Sequence, residues 1–300
     1  MKAPILFSLF LAFAAHCDVF TQNKFIPPDP YLNWDGITHK SKYLITSPGF
    51  MGPNSLPVPQ LHKGNVPKGF TWTGQYENYQ GQGNVTQDFM TRFSIPAGKR
   101  VALEFHYVPY EFFTMDSATS RAWRTFTGEP AKGSSLGDIY FGTTFQLIQD
   151  HSVLPDLAVS MACRTASGTG REWARHTDTP GYHLDLSIGD SYFHREGFFN
   201  SVRWYAEIGF LVWQTYLDNY PQNDALLYGA GIDLEFMDFF INQSLRGYSG
   251  YMNNGDKPLV YGAEFGIRMG QAAVVLGYEK GFRDFPFTSI RGGISITGLK

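Results

Sequence analysis

Apolar and polar residues alternate with a period of two over long stretches, and this pattern limits the fold more than any motif does. Across residues 101–107, Val101, Leu103, Phe105 and Tyr107 fall on one face, with Ala102, Glu104 and His106 on the other. Across 138–148, Ile139, Phe141, Thr143, Phe145 and Leu147 oppose Asp138, Tyr140, Gly142, Thr144 and Gln146. The rule recurs to the C-terminus. Val202, Trp204, Ala206, Ile208, Phe210 and Val212 oppose Arg203, Tyr205, Glu207 and Gly209, and Leu259, Tyr261, Ala263, Phe265, Ile267 and Met269 oppose Gly262, Glu264, Gly266 and Arg268. Period two is the mark of a β-strand with unlike environments on its two faces.

A soluble sandwich also alternates, but it hides its apolar face in a core. Strand length separates the cases. A strand needs about 9–11 residues to cross a hydrocarbon layer at a tilt, whereas soluble strands centre on about 5–6. The spacing predicts strands at 69–80, 85–96, 100–113, 136–149, 156–167, 181–191, 200–214, 224–236, 239–249, 258–269, 271–281 and 286–298. The connections at 81–84, 114–135, 168–180, 215–223, 250–257 and 282–285 are mostly long or rich in Gly, Asn and Asp. Those between are mostly tight, as periplasmic turns are. The expected fold is all-β: an antiparallel transmembrane β-barrel of about 12 strands, with ten or fourteen as neighbouring counts, and an irregular N-terminal arm. Phe112 and Phe113 break the alternation, and the chain ends Gly298-Leu299-Lys300 where many such barrels end in an aromatic residue.

The N-terminus supplies a compartment. Lys2 precedes an apolar run from Ile5 to Ala15, the layout of a secretory signal with cleavage after Ala14, Ala15 or Cys17. A lipoprotein reading would use Cys17, although His16 stands where that signal wants a small residue. With the signal removed, Cys163 is the one thiol left, which leaves no intramolecular disulfide. Residues 1–17 thus read as a signal peptide, 18–68 as an arm or plug-like segment, and 69–300 as the outer-membrane barrel. Pro27, Pro28, Pro30, Pro48, Pro53, Pro57, Pro59 and Pro67 keep the arm out of regular strands. It either folds into the barrel, lies along its periplasmic mouth, or is a disordered leader. Net charge is −3, so there is no basic footprint for nucleic acid.

The polar face carries both signs of charge. Glu104, His106, Arg164, Asp185, Arg203, Glu207, Asp233, Glu235, Glu264 and Arg268 form the expected solute path, joined by Arg92, Glu279 and Arg291. One reading is a passage or binding chamber. The other is a network of ion pairs that fills a narrow barrel, since eight strands are filled by side chains and sixteen leave a channel. Gly229, Gly231, Gly262 and Gly266 would leave room.

Signals for catalysis and metal binding are weak. There is no His-x-Ser on a strand face; His183, Asp185 and Ser187 share one face but read better as a polar row. His176 with Asp178, and His194 with Glu196, have ligand types without a cluster. The run Arg171-Glu172-Trp173-Ala174-Arg175-His176 could meet lipopolysaccharide phosphate, since arginine suits bidentate phosphate contacts, or be an ordinary exposed loop. No catalytic residue, cofactor or metal is assigned.

Gly137-Asp138-Ile139-Tyr140-Phe141-Gly142, Leu154-Pro155-Asp156-Leu157-Ala158 and Thr165-Ala166-Ser167-Gly168-Thr169-Gly170 carry a resemblance. The chain resembles the outer-membrane barrel family labelled as phenol-degradation-pathway proteins, with Thr-Ala-Ser-Gly in place of that family's Pro-Thr-Gly-like corner. Asp178-Thr179-Pro180-Gly181-Tyr182 and Gly52-Pro53-Asn54-Ser55-Leu56-Pro57-Val58-Pro59 are similar to uncharacterised outer-membrane proteins of Bacteroidota. The expectation is a non-enzymatic barrel of the bacterial outer membrane for passive transport or binding of a small-molecule solute. Only the resemblance implies a hydrophobic or aromatic one. The alternatives are a filled barrel with a structural or docking role, and a lipid-modifying enzyme built on His183 or His106. Expected partners are outer-membrane lipid, lipopolysaccharide, the barrel-assembly machinery and the solute.

Overall fold

Twelve strands close on themselves. The structure, a computed structural model, describes residues 29–193 and 198–299. The signal peptide with Cys17, the first residues of the arm, and the pair His194 and Glu196 lie outside the described residues. The strands are β1 (Phe70–Gly81), β2 (Asn84–Pro96), β3 (Val101–Met115), β4 (Ala131–Ser135), β5 (Tyr140–Ile148), β6 (Asp156–Arg164), β7 (Gly181–Phe193), β8 (Phe199–Leu217), β9 (Tyr220–Phe236), β10 (Phe239–Gly250), β11 (Leu259–Met269), β12 (Ala272–Arg283) and β13 (Phe287–Leu299). Each pairs antiparallel with its neighbours, and β1 pairs with β13, so the sheet has no free edge apart from β4. Closure matters because an open edge cannot be satisfied in hydrocarbon. The short β4 is an extra strand on the upper end of β3, beside β5.

The alternation turns its apolar side outward. Leu103, Phe141, Phe145, Met161, Leu184, Leu186, Phe210, Phe265, Leu276 and Ile290 are all exposed, whereas Ala102, Thr144, Ser160, Asp185, Glu207, Asp233, Glu279 and Arg291 are buried inside. That inversion of the soluble rule marks a lipid-facing belt. At the end of the short turns Phe236 stacks on Phe239 with centroids 4.4 Å apart, and Phe198, Phe199 and Phe265 extend the cluster. Such an aromatic ring suits the membrane interface. No helix among the described residues is long and apolar enough to cross a membrane, so the strands do the crossing.

Three local readings change. The expected loop 215–223 is instead the tip of one long hairpin, because β8 runs to Leu217 and β9 starts at Tyr220. A bulge after Gln214 lets the ladder continue past the lipid belt. The expected strand 136–149 is shorter, Tyr140–Ile148, since Gly137 and Asp138 serve the loop. Phe112 and Phe113 do not end the alternation. A register shift in β3 between its partners Phe89 and Thr91 inserts an extra residue near Pro109, so the phase switches. Phe112 then faces out and Phe113 faces the interior.

The arm threads the lumen. Between Asp29 and Gly69 there is one helical turn, α1 (Pro30–Asn33), two short 3-10 turns and no strand. At the long-loop end Tyr31 bonds the Thr125 carbonyl and Lys42 pairs with Asp218 at 2.8 Å. Deeper in, Gly52 donates to Ala174, and Asn54 reaches Asp88 and Glu111. At the short-turn end the Val66 amide meets Gln146. Of the three places left open for the arm, its described residues take the one inside the barrel.

Candidate functional site

Proline makes this route feasible. A buried backbone must have its amides and carbonyls satisfied, and Pro53, Pro57 and Pro59 each remove one donor. Wall side chains satisfy several of the others. Arg164 donates to the Ser55 carbonyl, and Tyr248 to that of Leu56 at 3.0 Å. The His62 amide donates to Glu207 at 2.6 Å, and Arg203 donates to the Lys63 carbonyl at 2.7 Å. Gln146 both accepts from Val66 at 2.7 Å and donates to Gly64 at 2.8 Å. Gly64 has φ +77°, and a Cβ there would stand 2.6 Å from the Gly189 amide nitrogen, so only glycine fits.

Above this stretch the contact is apolar. Leu44, Met51, Leu56 and Val58 of the arm pack with Tyr79, Phe113, Met115, Trp123, Trp213, Tyr248, Phe285 and Phe287. A polar cluster sits within it. Arg175 pairs with Glu111 at 2.6 Å, donates to Thr86 at 2.7 Å and lies 4.8 Å over the Phe113 ring. Asn54 bridges Asp88 and Glu111 from the arm side. Both readings of the run 171–176, a phosphate contact and an ordinary exposed loop, are corrected here: Arg175 and His176 are fully buried in the mouth, while Arg171 is tied to Asp178. His176 makes no cluster with Asp178, and neither of its ring nitrogens has a hydrogen-bond partner. Burial holds its pKa down to about 4, against the pull of Glu111, so it is neutral at pH 7.

The polar residues predicted for the path all face inward, but they divide into two groups. Most of those on β3 and β6 to β9 engage the arm. Glu104, Asp185 and Glu207 surround His62; Asp233 pairs with Lys63 at 2.6 Å; Arg203 joins Lys63 and Asp156; and Arg164 holds Ser55 and Thr179. The His106 ring lies tilted by 49° against that of Tyr140, with centroids 5.3 Å apart. The second group lines the opposite wall. Arg246 and Arg291 share Glu279, Arg291 lies 3.8 Å from Glu264, and Arg268 pairs with Glu235 near the short turns.

Beside the arm remains a cavity of about 790 Å³, lined by Gln75, Glu77, Arg92, Arg246, Glu264, Glu279 and Arg291 of this second wall and also by His62 and Lys63 of the arm and Glu104, Arg164, His183 and Asp233 of the first. It reaches the short turn at Gly270 and Gln271. The glycines expected to widen the lumen do not. Leu61 occupies the space beside Gly229, the Tyr205 ring that beside Gly231, Arg246 that beside Gly262, and Phe240 that beside Gly266. Sequence reasoning missed His62, Lys63 and Gln146, because the arm's place in the lumen is a tertiary fact. The row of His183, Asp185 and Ser187 does not assemble a nucleophile: the Ser187 hydroxyl donates to the Ala158 carbonyl.

No family model matches this chain, and no curated protein matches it. The phenol-degradation label and the Bacteroidota likeness therefore gain no support. Among solved structures, the chain is similar to an outer membrane channel from Pseudomonas putida F1, with a TM-score of 0.51, 8% identity, and coverage of 80% of this chain and 98% of the other. It is also similar to the NanC porin, with a TM-score of 0.47, 9% identity, and 75% and 98% coverage. The KdgM porin in complex with disordered oligogalacturonate gives a TM-score of 0.45, 12% identity, and 75% and 98% coverage. The first of these shares the fold. A closed barrel of that fold, wearing an outward apolar belt, is a protein of the bacterial outer membrane.

Proposed function

We propose that this barrel is a gated passage for a small polar solute, with its own N-terminal arm as the gate. One observation carries the reading: with the arm seated in the lumen, a charged cavity of about 790 Å³ remains beside it. A purely structural filling would be expected to leave no such space, as side chains do in the smallest barrels. Here the second wall keeps Arg92, Arg246 and Arg291 interleaved with Glu77, Glu264 and Glu279 beside open space. A lining of both signs suits a solute that carries donors and acceptors, such as a zwitterion or a small sugar acid.

The long-loop end is assigned to the cell exterior and the short-turn end to the periplasm, following the usual asymmetry of such barrels. The cavity then opens on the periplasmic side, and the apolar packing of Leu44, Met51 and Leu56 against Trp123, Trp213 and Phe287 seals the outer side. Passage requires the arm to shift out of that packing. The test is swelling of liposomes that hold the refolded chain, in solutions of glycine, a neutral sugar and a sugar acid. Swelling that quickens when the arm is truncated to start at Val66 supports a gate. Equal rates with and without the arm contradict it. The filled-barrel reading has support from the same apolar seal, and predicts no swelling from either chain.

A further inference from the structure

His62, Asp185 and Glu207 come from three separate elements, the arm, β7 and β8, and their potential ligand atoms lie within 4.8 Å of one another. We propose that these three side chains bind one divalent cation of the Zn²⁺ or Mn²⁺ class, which clamps the arm to the barrel wall. The inference rests on the arm's seat in the lumen, and not on what the barrel conducts.

The spacing fits a metal. His62 Nδ1 is 3.0 Å from Asp185 Oδ1 and 3.4 Å from Glu207 Oε2. Bonds of about 2.0–2.2 Å to nitrogen and oxygen put neighbouring ligand atoms roughly 3.0–3.5 Å apart. Both distances from His62 are those of neighbouring ligands on one ion, and the remaining pair, Asp185 and Glu207, lies within 4.8 Å. One imidazole with two carboxylates suits Zn²⁺ or Mn²⁺ better than the all-oxygen cations.

The surroundings set the histidine for that role. Its other ring nitrogen, Nε2, is 3.4 Å from Glu104 Oε2, and the Thr144 hydroxyl donates to the second Glu104 oxygen at 3.0 Å. A carboxylate that accepts Nε2–H leaves the lone pair on Nδ1, the atom that faces Asp185 and Glu207. Metal-binding histidines are oriented in this way by a carboxylate on the far nitrogen.

Charge and hydrogen bonding also call for a cation. The side chains of Asp185 and Glu207 are fully buried. Asp185 Oδ2 and Glu207 Oε1 are buried without a hydrogen-bond partner among the described residues. Buried charges are retained where they are paired or hold a metal. His183 Nε2, 3.8 Å from Asp185 Oδ2, stands within reach as a fourth ligand.

The test uses the full chain refolded in detergent, stripped with a chelator, and titrated with Zn²⁺ or with Mn²⁺ by calorimetry. The expected result is one equivalent per chain. H62A and D185N should each weaken binding at least about a hundredfold, and E104Q about ten- to a hundredfold. E129Q, at an exposed loop carboxylate outside the lumen, serves as the control that leaves binding unchanged. His62 belongs to the arm and not to the sheet, so H62A leaves the barrel able to form, which heat-dependent gel migration verifies. No saturable binding by either metal overturns the proposal, as does binding that H62A leaves intact. Binding that H62A abolishes in a barrel that passes no solute upholds the metal site and removes the gated-passage reading.

Discussion

The backbone amide of His62 donates to the Glu207 carboxylate at 2.6 Å, across 145 positions of sequence. That bond fastens an irregular segment to the middle of a barrel strand. It is one of several in which the wall supplies to the arm what a neighbouring strand would otherwise supply. The arm is thereby docked inside the barrel by polar contacts that can exchange for water, and those contacts are where it can be tested.

Gly64→Val should dislodge the arm's lower end. A side chain there meets the Gly189 backbone and must adopt φ near +77°. The left-handed conformation alone costs about 1–2 kcal/mol, or roughly tenfold in a docking equilibrium. Limited proteolysis should cut the arm at least about tenfold faster, with the barrel's resistance unchanged. Equal cutting of both proteins would show that the arm is not held at Gly64.

Tyr248→Phe isolates one wall-to-arm bond. The hydroxyl donates to the Leu56 carbonyl at 3.0 Å in a fully buried setting. Its loss leaves that carbonyl unpaired, at about 1–3 kcal/mol. Hydrogen exchange of residues 52–66 should quicken, and exchange in the strands far from Tyr248 should not.

Glu111→Gln should be the most damaging single change at the mouth. Both partners of the pair with Arg175 are fully buried, and breaking such a pair costs about 3–5 kcal/mol. The expected readout is a lower urea midpoint together with exposure of the loop 165–180. A midpoint within error of the wild type would contradict the assigned pairing.

Acid should loosen the same loop through His176. Its ordinary pKa is 6.5, and burial holds it at about 4 in the folded protein. A group depressed by folding binds more protons when the loop opens. Its stabilising effect is therefore complete above pH 6.5, declines as pH falls, and is lost by about pH 4. Exchange in residues 165–180 should rise across that window, and His176→Leu should flatten the profile. A wild-type profile that is already flat would contradict the buried neutral histidine.

The barrel was legible in the sequence because lipid and lumen impose opposite demands on alternate residues. Leu184 and Asp185 show this in adjacent positions, one 51% and the other 2% exposed. The phase switch near Pro109 was not legible, since a bulge changes which residues face inward without changing their types. The inward charges could be read one by one, but their partners could not. Asp233 gives no local sign that Lys63 will reach it over 170 positions. Prolines excluded strands from the arm but could not say that it enters the lumen. For the same reason Arg175, in a run that reads as an exposed loop, turned out to be buried against Glu111.

Single-channel conductance in a planar bilayer tests the central claim most directly, with the full chain compared to one that starts at Val66. An arm-gated passage predicts rare or small steps from the full chain and discrete, larger steps from the truncated one, with Arg291→Gln shifting the latter towards cations as Glu264 loses its partner and Glu279 keeps only Arg246. Identical conductance from the two chains, with both barrels shown to be folded, would contradict the account.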